Sequence, residues 1–161
     1  MRIYLLRHAI AEPGRPGQPD SDRALTPEGR EKLKGVMRRA RAAGVAPSVI
    51  LASPYRRAME TAEDAKQALG STCDIERSGK LTPDASPYDV WEEIRLHRSE
   101  NSILLASHEP LMSSLAAFLL GVPALQVDMK KAALLRIDCE SFGPNPRGML
   151  KWMLTPATAS D

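Results

Sequence analysis

The length, composition and charge of this chain exclude several classes of protein. Its 161 residues suffice for one ordinary domain, and 43% hydrophobic with 26% charged residues is close to the globular average, which excludes a disordered or fibrous chain. A net charge of +2 argues against nucleic-acid binding, because that function needs a basic surface that neutralises many phosphates. The two cysteines are too few for a disulfide scaffold or a thiolate zinc site.

The first predicted elements are a strand, a long loop and a helix. Residues 2–7 form an apolar run typical of a parallel strand that is covered on both faces. Proline and glycine crowd residues 11–25, which predicts a loop, and a helix follows from Thr26 to Gly44. No secretory signal precedes the first strand and no later apolar stretch is long enough for a bilayer, so we expect a cytoplasmic protein without membrane contact.

Strand and helix patterns continue to alternate along the rest of the chain. The further predicted elements are a strand at 48–52, a helix at 53–70 capped by Ser53, a weak strand at 73–76, a helix after the turn at 83–87, a strand at 103–107, a helix from Pro110, and a hairpin of strands at 132–138 and 148–154. This order predicts an α/β fold: one domain over residues 1–155, with a mostly parallel mixed central sheet, one antiparallel element and helices on both faces. Residues 156–161 are expected to form a frayed tail.

Two of the three histidines directly follow predicted strands. His8 comes after the first strand and His108 after the strand at 103–107, while Arg57 lies one turn into the helix that follows another strand. Because ligands of open α/β sheets bind beyond the carboxyl ends of the strands, we expect these junctions to converge on one pocket. Two imidazoles and several guanidiniums in one pocket suit an anionic phosphoryl group.

Phosphoryl chemistry assigns a different task to each of these residues. An imidazole accepts a phosphoryl group when one ring nitrogen is unprotonated and aimed at phosphorus while the other is held as a donor, and a rigid strand end supplies that aim for His8. Arg7, Arg57 and His108 would hold the charged oxygens. The free amides at the start of the helix after Ser53 also favour a bound phosphate.

Plainer interpretations of these residues stay open. A histidine at a strand end is often an ordinary polar residue, and Arg7 alone would suit pairing with a surface carboxylate. The choice of Arg57 rather than its neighbour Arg56 for the pocket is not settled by spacing. The loop acids Asp20 and Asp22 lack the ligand count of a calcium site and are expected to be solvated turn residues.

A proton donor is needed if the leaving group is an alkoxide, and a carboxylic acid near the pocket would then be expected. The candidates are Asp84 and Glu109. Asp84 also suits a turn, and Glu109 suits the first turn of a helix, where its charge favours the helix dipole. A phosphorylated imidazole nitrogen leaves readily once it is protonated, so a phosphoramidate substrate needs no strong protein acid.

Three motifs, each placed after a predicted strand, together resemble the histidine phosphatase superfamily, also called phosphoglycerate-mutase-like. They are Arg7-His8-Ala9, Ser-Pro-Tyr-Arg-Arg-Ala-Met-Glu-Thr-Ala at 53–62, and Ser107-His108-Glu109-Pro110. The short length and the segment Asp-Arg-Ala-Leu-Thr-Pro-Glu-Gly-Arg at 22–30 are similar to the SixA-type phosphohistidine phosphatases within it. The resemblance covers the chain from residue 2 to about residue 155, which it identifies as a histidine phosphatase domain.

The resemblance implies roles for five residues. His8 would become phosphorylated, Arg7 and Arg57 would hold the phosphoryl oxygens, and His108 would complete the pocket. Arg23, in the matching loop, would face the substrate. Ser53 is a sixth candidate, expected to bind substrate because it begins the helix whose free amides favour phosphate. No metal or organic cofactor is implied.

The departures from the family pattern bear on the substrate. The family usually has Gly where this chain has Ala9. This chain also lacks the acidic motif with which the larger ester-cleaving relatives protonate an alkoxide, since only Asp84 lies in a comparable region. We therefore expect a monomeric phosphatase acting on a phosphohistidine of a phosphotransfer or signalling protein. The alternatives are a phosphatase of small phosphate esters with Asp84 as proton donor, and a non-catalytic module that binds a phosphorylated partner.

Overall fold

The structure, a computed structural model, describes residues 1–160 and has the predicted α/β architecture. The elements in chain order are β1 (Arg2–Arg7), α1 (Pro27–Ala42), β2 (Val49–Ala52), α2 (Arg56–Leu69), β3 (Asp74–Arg77), α3 (Pro87–Leu96), β4 (Ser102–Ser107), α4 (Leu111–Leu119), β5 (Leu134–Asp138), β6 (Met149–Leu154) and α5 (Pro156–Ala159). Single turns of 3-10 helix cover Asp20–Asp22 and Gly79–Leu81. No helix within residues 1–160 is both long and apolar enough to cross a membrane.

The six strands form one mixed sheet in the order β3-β2-β4-β1-β5-β6. Strands β3, β2, β4 and β1 pair in parallel, and β5 pairs antiparallel with both β1 and β6. Strand β5 therefore runs against the other strands of this sheet, which confirms the prediction of one antiparallel element. Because β1 and β4 are parallel neighbours, their carboxyl ends lie side by side.

Alternate side chains of β1 enter two separate cores. Ile3 and Leu5 pack against α3 and α4 on one face of the sheet, together with the fully buried Trp91. Tyr4 and Leu6 pack against α1 and α2 on the other face. This two-sided burial explains why the strand is apolar at consecutive positions, and it confirms the prediction of helices on both faces.

Helix α2 begins two residues later than the sequence predicts, since Ser53 was expected as its cap and Pro54 as its first residue. Arg56 is its first residue, Tyr55 precedes it as the cap position, and no side chain caps the helix. The predicted cap, Ser53, instead places its hydroxyl against His108. Gly70 ends the helix as predicted, in the left-handed conformation that glycine adopts without steric cost.

Residues 156–159 form a short helix within the segment 156–161 that was expected to fray, and Asp161 lies outside the described residues. Thr155 and Thr158 form a reciprocal capping box around the short helix α5, and Ala159 is buried in the same core as α1. The prediction of fraying is therefore wrong for residues 156–159, because a cap and a buried contact hold them.

A close approach between α1 and the segment after His8 fixes the start of the long loop. The amide of Thr26 donates to the Ile10 carbonyl oxygen at 2.9 Å. A Cβ added to Gly29 would lie 2.4 Å from that same oxygen, so α1 can approach the loop this closely only because residue 29 has no side chain. Helix α1 therefore supports the backbone directly behind the predicted nucleophile.

Candidate active site

The structure brings the three predicted junctions together at the carboxyl edge of the parallel strands. Arg7 lies opposite Ser107 in the register of β1 and β4, and the amide of His8 donates to the Ser107 carbonyl at 2.8 Å. The imidazole rings of His8 and His108 are then 5.2 Å apart, centre to centre, with an edge-on orientation. The junction after β2 joins them because the amide of Ser53 donates to the Ala106 carbonyl of β4 at 3.0 Å.

His8 is held as a neutral ring with one free nitrogen. Its Nδ1 lies 2.7 Å from the carbonyl oxygen of Ala9, which can only accept, so Nδ1 carries the proton and donates. Burial above all lowers the pKa of His8 to about 4, with the positive charges of Arg57 and Arg7 acting in the same direction and the Ala9 hydrogen bond opposing them. At neutral pH the ring is therefore uncharged, and its Nε2 has an available lone pair.

His108 is a neutral donor, and Ser53 decides which nitrogen carries its proton. The Nε2 atom lies 2.8 Å from the Ser53 hydroxyl, which already accepts the Tyr55 amide at 3.3 Å. The hydroxyl hydrogen of Ser53 is then available to Nε2, and in this assignment the proton of the imidazole sits on Nδ1. Burial above all lowers the pKa of His108 to about 3, and His8 and Arg57 contribute in the same direction.

Arg57 is the arginine of the pocket, and Arg56 is not. The Arg57 side chain is 5% exposed, whereas that of Arg56 is 58% exposed and lies 3.5 Å from Glu60. The guanidinium of Arg57 lies over the ring of Tyr55, with 5.0 Å from Cζ to the ring centre. Its Nη1 donates to the carbonyl oxygen of Asp20 at 2.8 Å and its Nη2 to the carboxylate at 3.0 Å.

The buried hydrogen-bonding groups that lack a partner all belong to the predicted site. Within residues 1–160 the buried side-chain nitrogens without any partner in the chain are Nε of Arg7, Nε of Arg57 and Nδ1 of His108. Each is a donor, and leaving a buried donor unsatisfied costs about 1–3 kcal/mol. An anion with several oxygens would satisfy these three donors. The Nε2 atom of the neutral His8 ring belongs to the same site.

The hydrogen bonds of Arg23 and Asp84 go to residues other than the two histidines. Arg23 donates from Nε to Asp20 at 2.8 Å and from Nη1 to the Glu12 carbonyl at 3.0 Å, so it reaches Arg57 through Asp20. Asp84 is exposed, and its carboxylate accepts the Thr82 hydroxyl at 2.9 Å.

Glu109 serves the start of α4. Its carboxylate accepts the Ser113 amide at 2.7 Å, which suits the interpretation as a first-turn acid of that helix.

Two residues that the sequence did not single out hold the site together. Asp20, expected to be a solvated turn residue, bridges Arg23 and Arg57, and these two guanidiniums lower the pKa of its carboxyl. Thr61 is fully buried, accepts the Ala9 amide at 3.1 Å and donates to the Arg57 carbonyl at 2.6 Å. Thr61 could have been identified from the sequence, because it is a hydroxyl residue on the otherwise alanine-rich inner face of α2. The role of Asp20 has no such pattern, because it depends on how the loop folds back.

The residues present offer no cation site. Within residues 1–160, no group of three or more histidine, cysteine, aspartate or glutamate side chains is clustered closely enough to hold a metal ion. The positive charge beside His8 comes from the guanidiniums of Arg7 and Arg57.

Comparisons with known proteins agree with this architecture. A family model of the histidine phosphatase superfamily (branch 1) matches residues 3–81. An uncharacterized protein of Picosynechococcus sp. is 28% identical over 137 residues, which cover 84% of this chain and 83% of that protein.

Solved structures extend the similarity to the whole chain. The protein histidine phosphatase SixA complexed with tungstate has a TM-score of 0.88 at 24% identity, covering 99% of this chain and 100% of that one. An Agrobacterium tumefaciens protein assigned as a phosphohistidine phosphatase SixA has a TM-score of 0.82 at 25% identity, covering 96% and 97%. A mycobacterial glucosyl-3-phosphoglycerate phosphatase has a TM-score of 0.69 at 19% identity, covering 93% and 96%.

Proposed function

Because the chain belongs to the histidine phosphatase superfamily and is a phosphatase, we propose that its substrate is a phosphohistidine carried by a phosphotransfer or signalling protein. The proposal depends on one observation above all: the free Nε2 of His8 adjoins a set of cationic and neutral donors that includes no protonated carboxyl group. Asp20 is the carboxylate bound to this set, and its lowered pKa keeps it ionised. Such a pocket can transfer a phosphoryl group whose leaving nitrogen needs no protein acid.

The first step exchanges the phosphoryl group between two imidazoles. The Nε2 lone pair of His8 forms a bond to phosphorus while the phosphorus–nitrogen bond of the protonated substrate ring breaks. The substrate imidazole leaves as a neutral ring, and His8 becomes a phosphorylated ring that keeps its Nδ1 proton on the Ala9 carbonyl. Since the bond formed and the bond broken are alike, neither direction is strongly favoured and no external acid is required.

Arg7, Arg57 and His108 stabilise the transferring group. Charge in the transition state spreads over the three phosphoryl oxygens, and donors fixed in advance stabilise it without reorganisation. Each of these residues has one buried nitrogen without a partner in the described chain, which makes three such nitrogens for three oxygens. The similar SixA structure holds tungstate, which is a tetrahedral oxyanion like phosphate.

Hydrolysis of the intermediate completes the cycle. Water attacks phosphorus, the bond to His8 Nε2 breaks, and the proton released by the water leaves with inorganic phosphate. His8 returns to its neutral form because burial disfavours its charge. We further propose that the enzyme is monomeric and cytoplasmic. In this proposal, Arg23 and the backbone amides after Ser53 contact the substrate protein.

The test follows radiolabelled phosphate from a phosphohistidine protein onto the enzyme. We expect an acid-labile, alkali-stable label on the wild-type protein during turnover, no label on His8→Asn, and faster turnover of the phosphohistidine protein than of p-nitrophenyl phosphate. Binding of the phosphoprotein without label or turnover would mean a non-catalytic module. A higher rate on the aryl ester would contradict the proposed substrate.

Asp84 distinguishes the proposed substrate from small phosphate esters. A protein acid must protonate an alkoxide, so Asp84→Asn would lower the rate on an alkyl phosphate if this residue were the donor. Because Asp84 is exposed and bonded to Thr82, we expect Asp84→Asn to change the rate on phosphohistidine less than twofold. A loss of tenfold or more on both substrates would instead favour an esterase.

A further inference from the structure

A second concavity opens beside the proposed catalytic pocket, between α1, the segment that precedes β5, and α5. It has a volume of about 930 Å³ and includes Arg7 in its lining, so it shares this residue with the catalytic pocket. Its lining is largely apolar, with Ile10, Ala132, Pro156 and Ala159, and its charged side chains are three lysines, Lys32, Lys130 and Lys131, against one carboxylate, Glu31. We call this concavity the α1–α5 groove.

Lys131 stands at the junction of the groove and the pocket. It has no carboxylate within ion-pair distance in residues 1–160, whereas Lys32 and Lys130 each contact one. Its charge reaches His8, because it is among the cations that lower the pKa of that ring. The next residue, Ala132, has a φ of 63°, and its amide donates to the carbonyl oxygens of both Arg7 and His8 at 3.2 Å. A non-glycine residue in this conformation costs roughly 1 kcal/mol, so the nucleophile's own backbone holds Lys131 at this position.

Gly35 leaves part of the groove wall bare. It lies inside α1, where glycine is less favourable than alanine by roughly 0.5–1 kcal/mol. A Cβ at this position would meet no atom within 4 Å, so packing within the chain does not require glycine here. A bare backbone on a groove wall does allow another protein to approach closely.

From these features we infer that the α1–α5 groove docks the protein that bears the phosphohistidine, through a segment of that partner with apolar residues against the apolar lining and acidic residues against the three lysines. The inference rests on the proposed function. The apolar lining supplies buried area, and the lysines favour an acidic partner and speed its association. Because Arg7 belongs to both the groove and the pocket, a partner seated in the groove lies next to His8, its neighbour in the chain.

Filling the groove tests the inference directly. The probes are a histidine-containing phosphotransfer protein phosphorylated with phosphoramidate, and free phosphohistidine. We expect Gly35→Trp to raise KM for the phosphoprotein tenfold or more with kcat little changed, and to leave the kinetics on free phosphohistidine as in the wild type. The matched control is Gly35→Ala, which adds one methyl group in open space and should leave both substrates unaffected.

The charge of the groove lysines gives a second, independent readout. Lys131→Gln should raise KM for the phosphoprotein threefold to tenfold and weaken the dependence of kcat/KM on salt concentration. Lys34→Gln is the control, because Lys34 is an exposed lysine of α1 outside the groove. Equal salt dependence for Lys131→Gln and the wild type would overturn the acidic character of the partner.

The outcomes separate this inference from the proposed function. If the wild type does not dephosphorylate the phosphoprotein, the proposed function fails. If the wild type does so and Gly35→Trp matches it, the docking site alone is overturned. Light scattering completes the test: a dimer in the wild type that Gly35→Trp dissociates would assign the groove to a second copy of this chain and overturn the inference.

Discussion

At the amino end of β4, the buried Ser102 hydroxyl donates to the Ala46 carbonyl at 2.8 Å, so this buried polar side chain has a partner. At the carboxyl edge of the same sheet, the nitrogens of Arg7, Arg57 and His108 stay buried without one. Both ends carry buried polar side-chain atoms beside the same sheet. The difference indicates that satisfied groups fix the chain at one end, while unsatisfied donors at the other end are kept for a ligand.

The largest expected effect comes from replacing an arginine by lysine at the carboxyl edge, compared with the same replacement at an arginine whose partners are all within the chain. Arg57→Lys removes the guanidinium donors, and we expect kcat/KM to fall about 10²–10³-fold, as for loss of one transition-state donor. Arg136→Lys is the control, because Arg136 makes a two-pronged ion pair with Asp138, at 2.8 Å for each contact, away from the pocket. It should leave kcat/KM unchanged, and equal losses for both variants would contradict the assignment.

The buried histidines should make the fold sensitive to acid. The folded pKa of His8 is lowered from 6.5 to about 4, so below pH 6.5 the unfolded chain binds protons that the native chain does not. The unfolding free energy therefore falls as the pH drops from 6.5 towards 4, by on the order of 3 kcal/mol for this ring, and does not depend on it above pH 6.5. Chemical denaturation at several pH values measures this, and His8→Asn should show a smaller slope than the wild type.

Ser53 and Ser102 offer a matched pair of hydroxyls at opposite ends of the sheet. Ser53→Ala frees the Nε2 atom of His108, so both tautomers become populated and the donor on Nδ1 is partly lost; we expect kcat to fall about tenfold with KM little changed. Ser53→Thr keeps the hydroxyl and should restore most of the rate. Ser102→Ala should instead lower the unfolding free energy by about 1 kcal/mol and leave kcat and KM unchanged.

The smallest expected effect concerns the carboxylate that contacts Arg57. Asp20→Asn removes a negative charge 3.0 Å from Arg57 Nη2, and a change of about 1 kcal/mol would make tungstate or vanadate bind about fivefold more tightly. Inhibition constants measure this, with the exposed neighbour Asp22→Asn as control. Weaker oxyanion binding in Asp20→Asn would show that Asp20 acts mainly by orienting the guanidinium.

The convergence of the site could be predicted from sequence because it follows from topology. Once strands are assigned before His8 and His108, a parallel sheet brings their carboxyl ends to one edge, and the structure does so. The contacts of Asp20 could not be predicted, since they depend on where a breaker-rich loop folds back in space. Side-chain partners across such a loop leave no periodic signal.

Two errors at helix starts have one physical origin. Both Ser53-Pro54 and Thr155-Pro156 carry the signal of a cap followed by a first-turn proline, which α1 obeys at Thr26. Ser53 does not cap a helix because its hydroxyl is committed to His108. Thr155 does cap one, and the short α5 persists because Ala159 is buried. Local signals thus decide a helix start only where tertiary contacts do not compete.

The hydroxyl of Thr61 ties the backbone after the nucleophile to the backbone of the helix that carries Arg57. Opening of the first turn of α2 would therefore release the segment behind His8 at the same moment, so the two parts of the site exchange with solvent as one cooperative unit. Amide hydrogen exchange at Ala9 and at the start of α2 should then report a single opening event. We therefore expect no intermediate in which the His8 ring is held in place while the Arg57 guanidinium is released.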